Sequence, residues 1–144
     1  MNNGQQFRPV PGVLGDSGPA QATPLAAFDR EDLIERMMGS DGLARQIVDS
    51  FIKYIPRQLA ALAEAIERSN TEQTRALAHK IKGSAANVSA VALAQAASVI
   101  EVAARRGDLT GVLKGFSELC VECERTRSEL ANFLTSPVAP ASVL

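Results

Sequence analysis

Tryptophan is absent from this chain of 144 residues, histidine occurs once, and aromatic side chains make up only 4%. Alanine and leucine fill much of the apolar share instead, which biases the chain towards helix. An excess of either charge is missing too: 15 Lys and Arg against 16 Asp and Glu leave a formal net charge of −1. That balance argues against a general nucleic-acid partner, which needs a basic face strong enough to neutralise several phosphates. No apolar run approaches the roughly 18 to 20 residues of a membrane span, and the N-terminus lacks the charged, then apolar pattern of a signal peptide. The expectation is a cytoplasmic protein with no membrane segment. Cysteine is limited to Cys120 and Cys123. This C-x-x-C has no second ligand pair and no βαβ context, so it reads as two thiols buried in a helical core. With 46% apolar residues, the length suits one domain with a real core.

What is present centres on the one histidine, His79, within ALAHKIKGSAANV at residues 76–88. Leu77, Ile81, Ala85 and Val88 recur at the spacing that lines one side of a 3.6-residue period, so the segment reads as a helix with an apolar face. A turn of roughly 100° per residue then places His79 on the opposite side, facing water. Arg75 lies one turn before it on that outer face, Lys82 and Gly83 one turn after, and Ala86 about two turns after. An ordinary imidazole titrates near about 6.5, so near neutral pH it offers a ring-nitrogen lone pair to an electrophile such as a phosphoryl group. Lys82 can meet the negative charge of that group, and Arg75 is a second, more distant cation. Gly83 has no side chain to block the site. Glycine inside a helix costs roughly 0.5 to 1 kcal/mol relative to alanine, which points to close approach by another molecule.

His79, Lys82, Gly83, Ser84 and Ala85, preceded by Ala78, spell A-H-x-x-K-G-S-A. This is similar to the signature of histidine phosphotransfer (HPt) domains of multistep phosphorelays. The resemblance runs from Phe28 and Asp29 through DGLARQIVDSFIKYIPRQLAALAEAI to about Leu134. Ser89 departs from it, standing where many members carry glycine. The resemblance implies a four-helix bundle that acts as a phosphoryl carrier, with His79 as phosphoacceptor and reversible transfer to the aspartate of a response-regulator receiver domain. Mg²⁺ and the aspartate then belong to the partner, because this chain shows no nucleotide loop and no carboxylate constellation for a metal. No autokinase activity is expected.

Along the chain, residues 1–27 are rich in Gly, Pro, Gln and small residues and read as a flexible tail or interdomain linker. Their GVLGDSG stretch lacks the lysine and hydroxyl of a phosphate-binding loop. Residues 135–144 read as a second tail. Two such tails suit a domain taken from a larger protein, such as a hybrid sensor histidine kinase.

Between them, residues 28–134 predict an all-α, antiparallel four-helix bundle with an additional short N-terminal helix. Asp29 caps the short helix, with Phe28 and Leu33 as a hydrophobic staple. Gly39 ends it after Met37 and Met38; one of these methionines suits the core and the other an adaptable docking surface, for which Met38 is the candidate. Asp41 is expected to cap a long helix with Leu43, Ile47, Phe51, Ile55, Leu59, Leu62 and Ile66 on one face and a kink at Pro56. Asn70 caps the helix of His79, with Gln73 in the capping-box position. Leu93, Ala97, Ile100 and Ala104 mark the next helix, closed by Gly107, and Asp108 caps the last, which buries Val112, Phe116, Leu119, Cys123 and Leu130. One contiguous core makes a monomer the expectation.

Other readings of the same residues are a helical adaptor or dimerisation bundle with an incidental histidine, and a metal or haem bundle. Bundle metal sites converge side chains from several helices inward, which one outward histidine fits poorly. A histidine kinase dimerisation domain would need an ATP-binding domain after it.

Overall fold

The structure, a computed structural model, describes residues 27–137. The GVLGDSG stretch, the remainder of the expected N-terminal tail and residues 138–144 lie outside the described residues. The chain forms α1 (Arg30–Arg36), α2 (Asp41–Glu67), α3 (Thr71–Asn87), α4 (Val91–Arg105) and α5 (Leu109–Thr135). The four long helices make the bundle. Short α1 lies at the end where α2 begins, α5 finishes and α3 turns into α4.

Each helix start follows from a local acceptor. Asp29, Ser40, Asn70 and Asp108 take the backbone N–H of the residue three ahead, at Asp32, Leu43, Gln73 and Gly111. Three of these are the expected caps, but Ser40 replaces Asp41. Both side chains can cap; the extended backbone falls at Ser40, and Asp41, one residue later, pairs with Arg45 instead. The start of α4 has no side-chain cap: Ala90 stands at the cap position, and its methyl offers no acceptor and is fully buried.

The four turns between helices share one geometry. Met38, Ser69, Ser89 and Gly107 have φ of 57°, 54°, 57° and 70°. In each case the next residue's N–H reaches five residues back, as in Asn70 to Ala65 at 3.0 Å and Ala90 to Ala85 at 2.9 Å. This double-bonded C-terminal motif needs a left-handed residue, which L-residues adopt at a cost of roughly 1–2 kcal/mol. Ser89 therefore occupies a glycine-like backbone position. Its hydroxyl donates to Asp32 Oδ2 at 2.7 Å and accepts from Arg36 Nη1 at 2.8 Å, tying α1 onto the α3–α4 turn.

Leu33, Ile55, Leu62, Ile81, Leu93, Ile100, Leu119 and Leu130 are fully buried in one continuous core, each burial favouring the fold by about 1.5–3 kcal/mol. The buried stripe of α2 begins differently from the sequence expectation: Ala44 and Val48 face the core, whereas Leu43 is 48% exposed. Ile47, Leu59 and Ile66 sit at the edge of the core. α2 continues as helix through Pro56. Cys123 is buried as expected, but Cys120 is exposed, because three residues carry it about 300° around the helix and off the apolar stripe. Burial pushes the Cys123 thiol up to about 11.

Two contacts fix how the helices sit together. A Cβ on Gly115 of α5 would stand 2.9 Å from Ile100 Cγ1 of α4, so the missing side chain lets the two helices close. Where α2 begins, Arg45 holds the end of α5, donating to Leu134 O and Ser136 O, each at 2.9 Å, and to Pro137 O at 3.2 Å. Its guanidinium also lies over the Phe133 ring, against which Phe28 stands edge-on.

Candidate functional site

α3 turns Thr74, Ala78, Ile81 and Ala85 into the bundle, and this leaves His79 on the outer surface with its side chain 63% exposed. The ring does not stand free. Its Nδ1 lies 3.0 Å from Oε2 of Glu101, a residue of α4 that the sequence reading did not single out. The Glu101 side chain is only 7% exposed and also accepts from Lys82 Nζ at 3.0 Å and Arg105 Nη2 at 3.3 Å. Burial, the largest single influence, raises its pKa. The hydrogen bonds from Lys82 and His79, together with their positive charge, outweigh it, so the carboxyl sits below its ordinary value and is ionised near neutral pH.

An ionised carboxylate can only accept, so Nδ1 must carry the proton. In the neutral ring Nε2 then has the free lone pair, on the edge turned away from Glu101. A signal for Glu101 was present in the sequence. It is the sole acid in VALAQAASVIEVAAR, and it adjoins Ile100 on the buried side of α4. Finding its partner requires the α3–α4 packing, since Glu101 and His79 are 22 residues apart.

The other predicted residues are placed as follows. Lys82 is half-buried, one turn from His79. Gly83 is exposed, and a Cβ there would meet nothing within 4 Å. Ala86 is exposed, and its carbonyl accepts from Arg36 of α1 at 3.1 Å. Arg75 turns to Glu72, 2.9 Å away in the first turn of α3, rather than to the Glu101 cluster. Met38 is 91% exposed in the α1–α2 turn, while Met37 packs against the core. Two open grooves flank α3. One, of about 590 Å³, includes Lys82, Ala86, Ala94 and Ser98 in its walls; the other, of about 490 Å³, includes Met37, Phe51, Tyr54 and Ser84. Among the described residues no three His, Cys, Asp or Glu side chains converge as a metal site.

The Hpt domain family model matches residues 46–132, more than half of the chain, and includes His79, Lys82, Gly83, Glu101 and Arg105. The chain belongs to the Hpt domain family. Hpt domains carry phosphoryl groups in phosphorelays, working with receiver and kinase partners. Among solved structures, histidine-containing phosphotransfer protein B (HptB) from Pseudomonas aeruginosa PAO1 has a similar fold, with a TM-score of 0.69 at 24% identity. The match covers 74% of this chain and 92% of that one. No curated protein matches the chain. No helix among the described residues of this Hpt domain is long and apolar enough to cross a membrane.

Proposed function

We propose that this Hpt domain accepts a phosphoryl group on Nε2 of His79 from the aspartyl phosphate of a response-regulator receiver domain, and returns it by the reverse step. The observation that carries the reading is the contact between Nδ1 and the buried Glu101 carboxylate, which leaves Nε2 as the exposed nucleophile. The Nε2 lone pair attacks phosphorus in line with the aspartyl oxygen. An N–P bond forms, the O–P bond of the acyl phosphate breaks, and its electron pair leaves on the aspartate carboxylate. The Nδ1 proton stays in place. The phosphorylated ring is thus an imidazolium whose charge lies against Glu101, as a buried carboxylate steadies the imidazolium of a catalytic triad.

Lys82 has three donors on its ammonium. One held by Glu101 leaves others for the phosphoryl oxygens that develop beside it. Gly83 and Ala86 leave room for the receiver to approach, and Met38 supplies an apolar contact at the bundle end. In this reading Mg²⁺ and the acceptor aspartate come from the receiver, ATP alone does not label the protein, and the domain works as a cytoplasmic monomer, free-standing or within a hybrid sensor histidine kinase.

The test is incubation with a phosphorylated receiver domain and Mg²⁺, following acid-labile phosphate on the native protein and on His79→Gln. Transfer to the native chain alone is expected. Absence of transfer from several receivers would favour a non-catalytic helical adaptor, and labelling by ATP alone would overturn the carrier reading.

A further inference from the structure

We propose that Ser89 is a positioning residue for receiver docking: its hydroxyl locks α1 onto the α3–α4 turn and so fixes Arg36 across the end of α3, on the surface that a receiver seated over His79 covers. The proposal rests on the reading of His79 as phosphoacceptor. Three bonds to Ser89 make the lock. Its Oγ donates to Asp32 Oδ2 at 2.7 Å and accepts from Arg36 Nη1 at 2.8 Å. Its carbonyl accepts the N–H of Asp29, the cap of α1, at 3.0 Å. Arg36 Nη1 also donates to Ala86 O at 3.1 Å. Both ends of α1 are thereby tied to the place where α3 turns into α4.

The helix depends on this lock. Its 7 residues are too few for a helix to persist alone, and Leu33 is its one buried side chain. Phe28 and Arg30 hold its beginning on the Phe133 ring, whereas Arg36 at its end is held through Ser89 and Ala86. The backbone at Ser89, with φ of 57°, favours glycine. A glycine would relieve the turn and surrender both hydroxyl bonds. Asp32 and Arg36 are half-exposed, so that loss leaves no buried group unpaired.

Arg36 is where the lock meets the site. It stands in the walls of both grooves that flank α3, beside Lys82 and Ala86 in one and beside Tyr54 and Ser84 in the other. Ala86, whose carbonyl it holds, is seven residues from His79, about 10 Å along the helix. Even a small transient contact of roughly 600 Å² on one partner reaches about 14 Å from its centre. A receiver centred on His79 therefore comes onto Arg36. The bonds of Arg36 to Ser89 and Ala86 both come from Nη1, and among the described residues its Nη2 and Nε donors are left for an acidic or carbonyl group of the receiver.

The test uses the full chain and two donors: a phosphorylated receiver domain with Mg²⁺, and phosphoramidate, a small donor that needs no receiver docking. Ser89→Gly is expected to raise the receiver concentration for half-maximal labelling about three- to tenfold, the scale of one or two part-exposed hydrogen bonds. The maximal rate and labelling by phosphoramidate should stay as in the native chain. Losing the hydroxyl and relieving the turn act oppositely on stability, so the Tm should move by less than about 5 °C. Amide exchange should quicken in α1 and not in α3. Arg36→Ala should weaken docking as well, and Ser89→Gly added to it should cost little more, because the hydroxyl acts through Arg36. A half-maximal concentration or an α1 exchange rate unmoved by Ser89→Gly overturns the proposal. So does its full effect persisting in the Arg36→Ala background, or an equal loss of labelling by phosphoramidate. If the native chain and His79→Gln are labelled alike, the His79 reading itself has failed, a result distinct from weaker docking.

Discussion

Two ionic clusters tie helices of this bundle together, and they differ in what they leave available. At the beginning of α2, Arg45 is spent entirely on structure: its guanidinium holds Asp41, the last carbonyls of α5 and the Phe133 ring. Between α3 and α4, Glu101 holds His79, Lys82 and Arg105, yet each of these three keeps donors or a lone pair directed at solvent. Burying the anion and exposing its cations makes an anion-binding surface, whereas burying the cation among carbonyls makes a clasp. Both are costly to desolvate, so each should respond sharply when one partner is removed.

Substitutions at the two centres should separate stability from transfer. Glu101→Gln keeps an acceptor for Nδ1 but removes the charge that steadies the imidazolium; stopped transfer assays should show uptake slowed on the order of tenfold, as for other groups that orient a reactive ligand. Arg45→Ala should lower unfolding free energy by about 3 kcal/mol in denaturant titration, because Asp41 is left unpaired, while transfer by the folded protein stays normal. Equal loss of stability in both variants would abolish the distinction. Acid sharpens it further. The Glu101 carboxyl lies below its ordinary 4.5 in the folded protein, so its contribution to stability is complete above about pH 4.5 and fades as pH falls through the lower folded value. The stability gap between native protein and Glu101→Gln should close over that acid range.

On the outer face, Lys82→Ala should slow transfer by about three- to tenfold through weaker phosphate stabilisation. Gly83→Leu should block uptake from a receiver but not from phosphoramidate, since a side chain there meets open space within the domain. Two glycines extend the comparison at smaller scale. Gly115→Ala drives a methyl into Ile100 and should destabilise by about 1–3 kcal/mol in thermal unfolding. Gly83→Ala should stabilise by about 0.5–1 kcal/mol; a loss there would mean that Gly83 serves packing. The smallest difference is chemical: iodoacetamide should modify exposed Cys120 well before Cys123, whose thiol is buried and pushed up to about 11.

Much of the architecture was legible because its signals are local. Asp29, Asn70 and Asp108 announce helix starts by reaching amides only three residues away. Ser40 was harder to read, since it adjoins another capable residue and only the backbone angles choose between them. Leu43 illustrates a second limit: at a helix end, apolar phase alone does not say which of two neighbouring residues the core will cover, and Ala44 takes the buried place. Cys120 shows the same one-sidedness further along α5. Ser89 needs its backbone angle to explain why a serine stands in a glycine-like turn.

Helical periodicity by itself put His79 outside and Lys82 and Gly83 beside it, because residues three and four apart share a face wherever the helix is packed. It could not orient the ring. Which nitrogen is protonated, and which cations surround it, depends on a carboxylate brought from α4 when that helix closes against α3 and α5. Helical spacing is a property of one segment, whereas the direction of a hydrogen bond between segments exists only once they are packed.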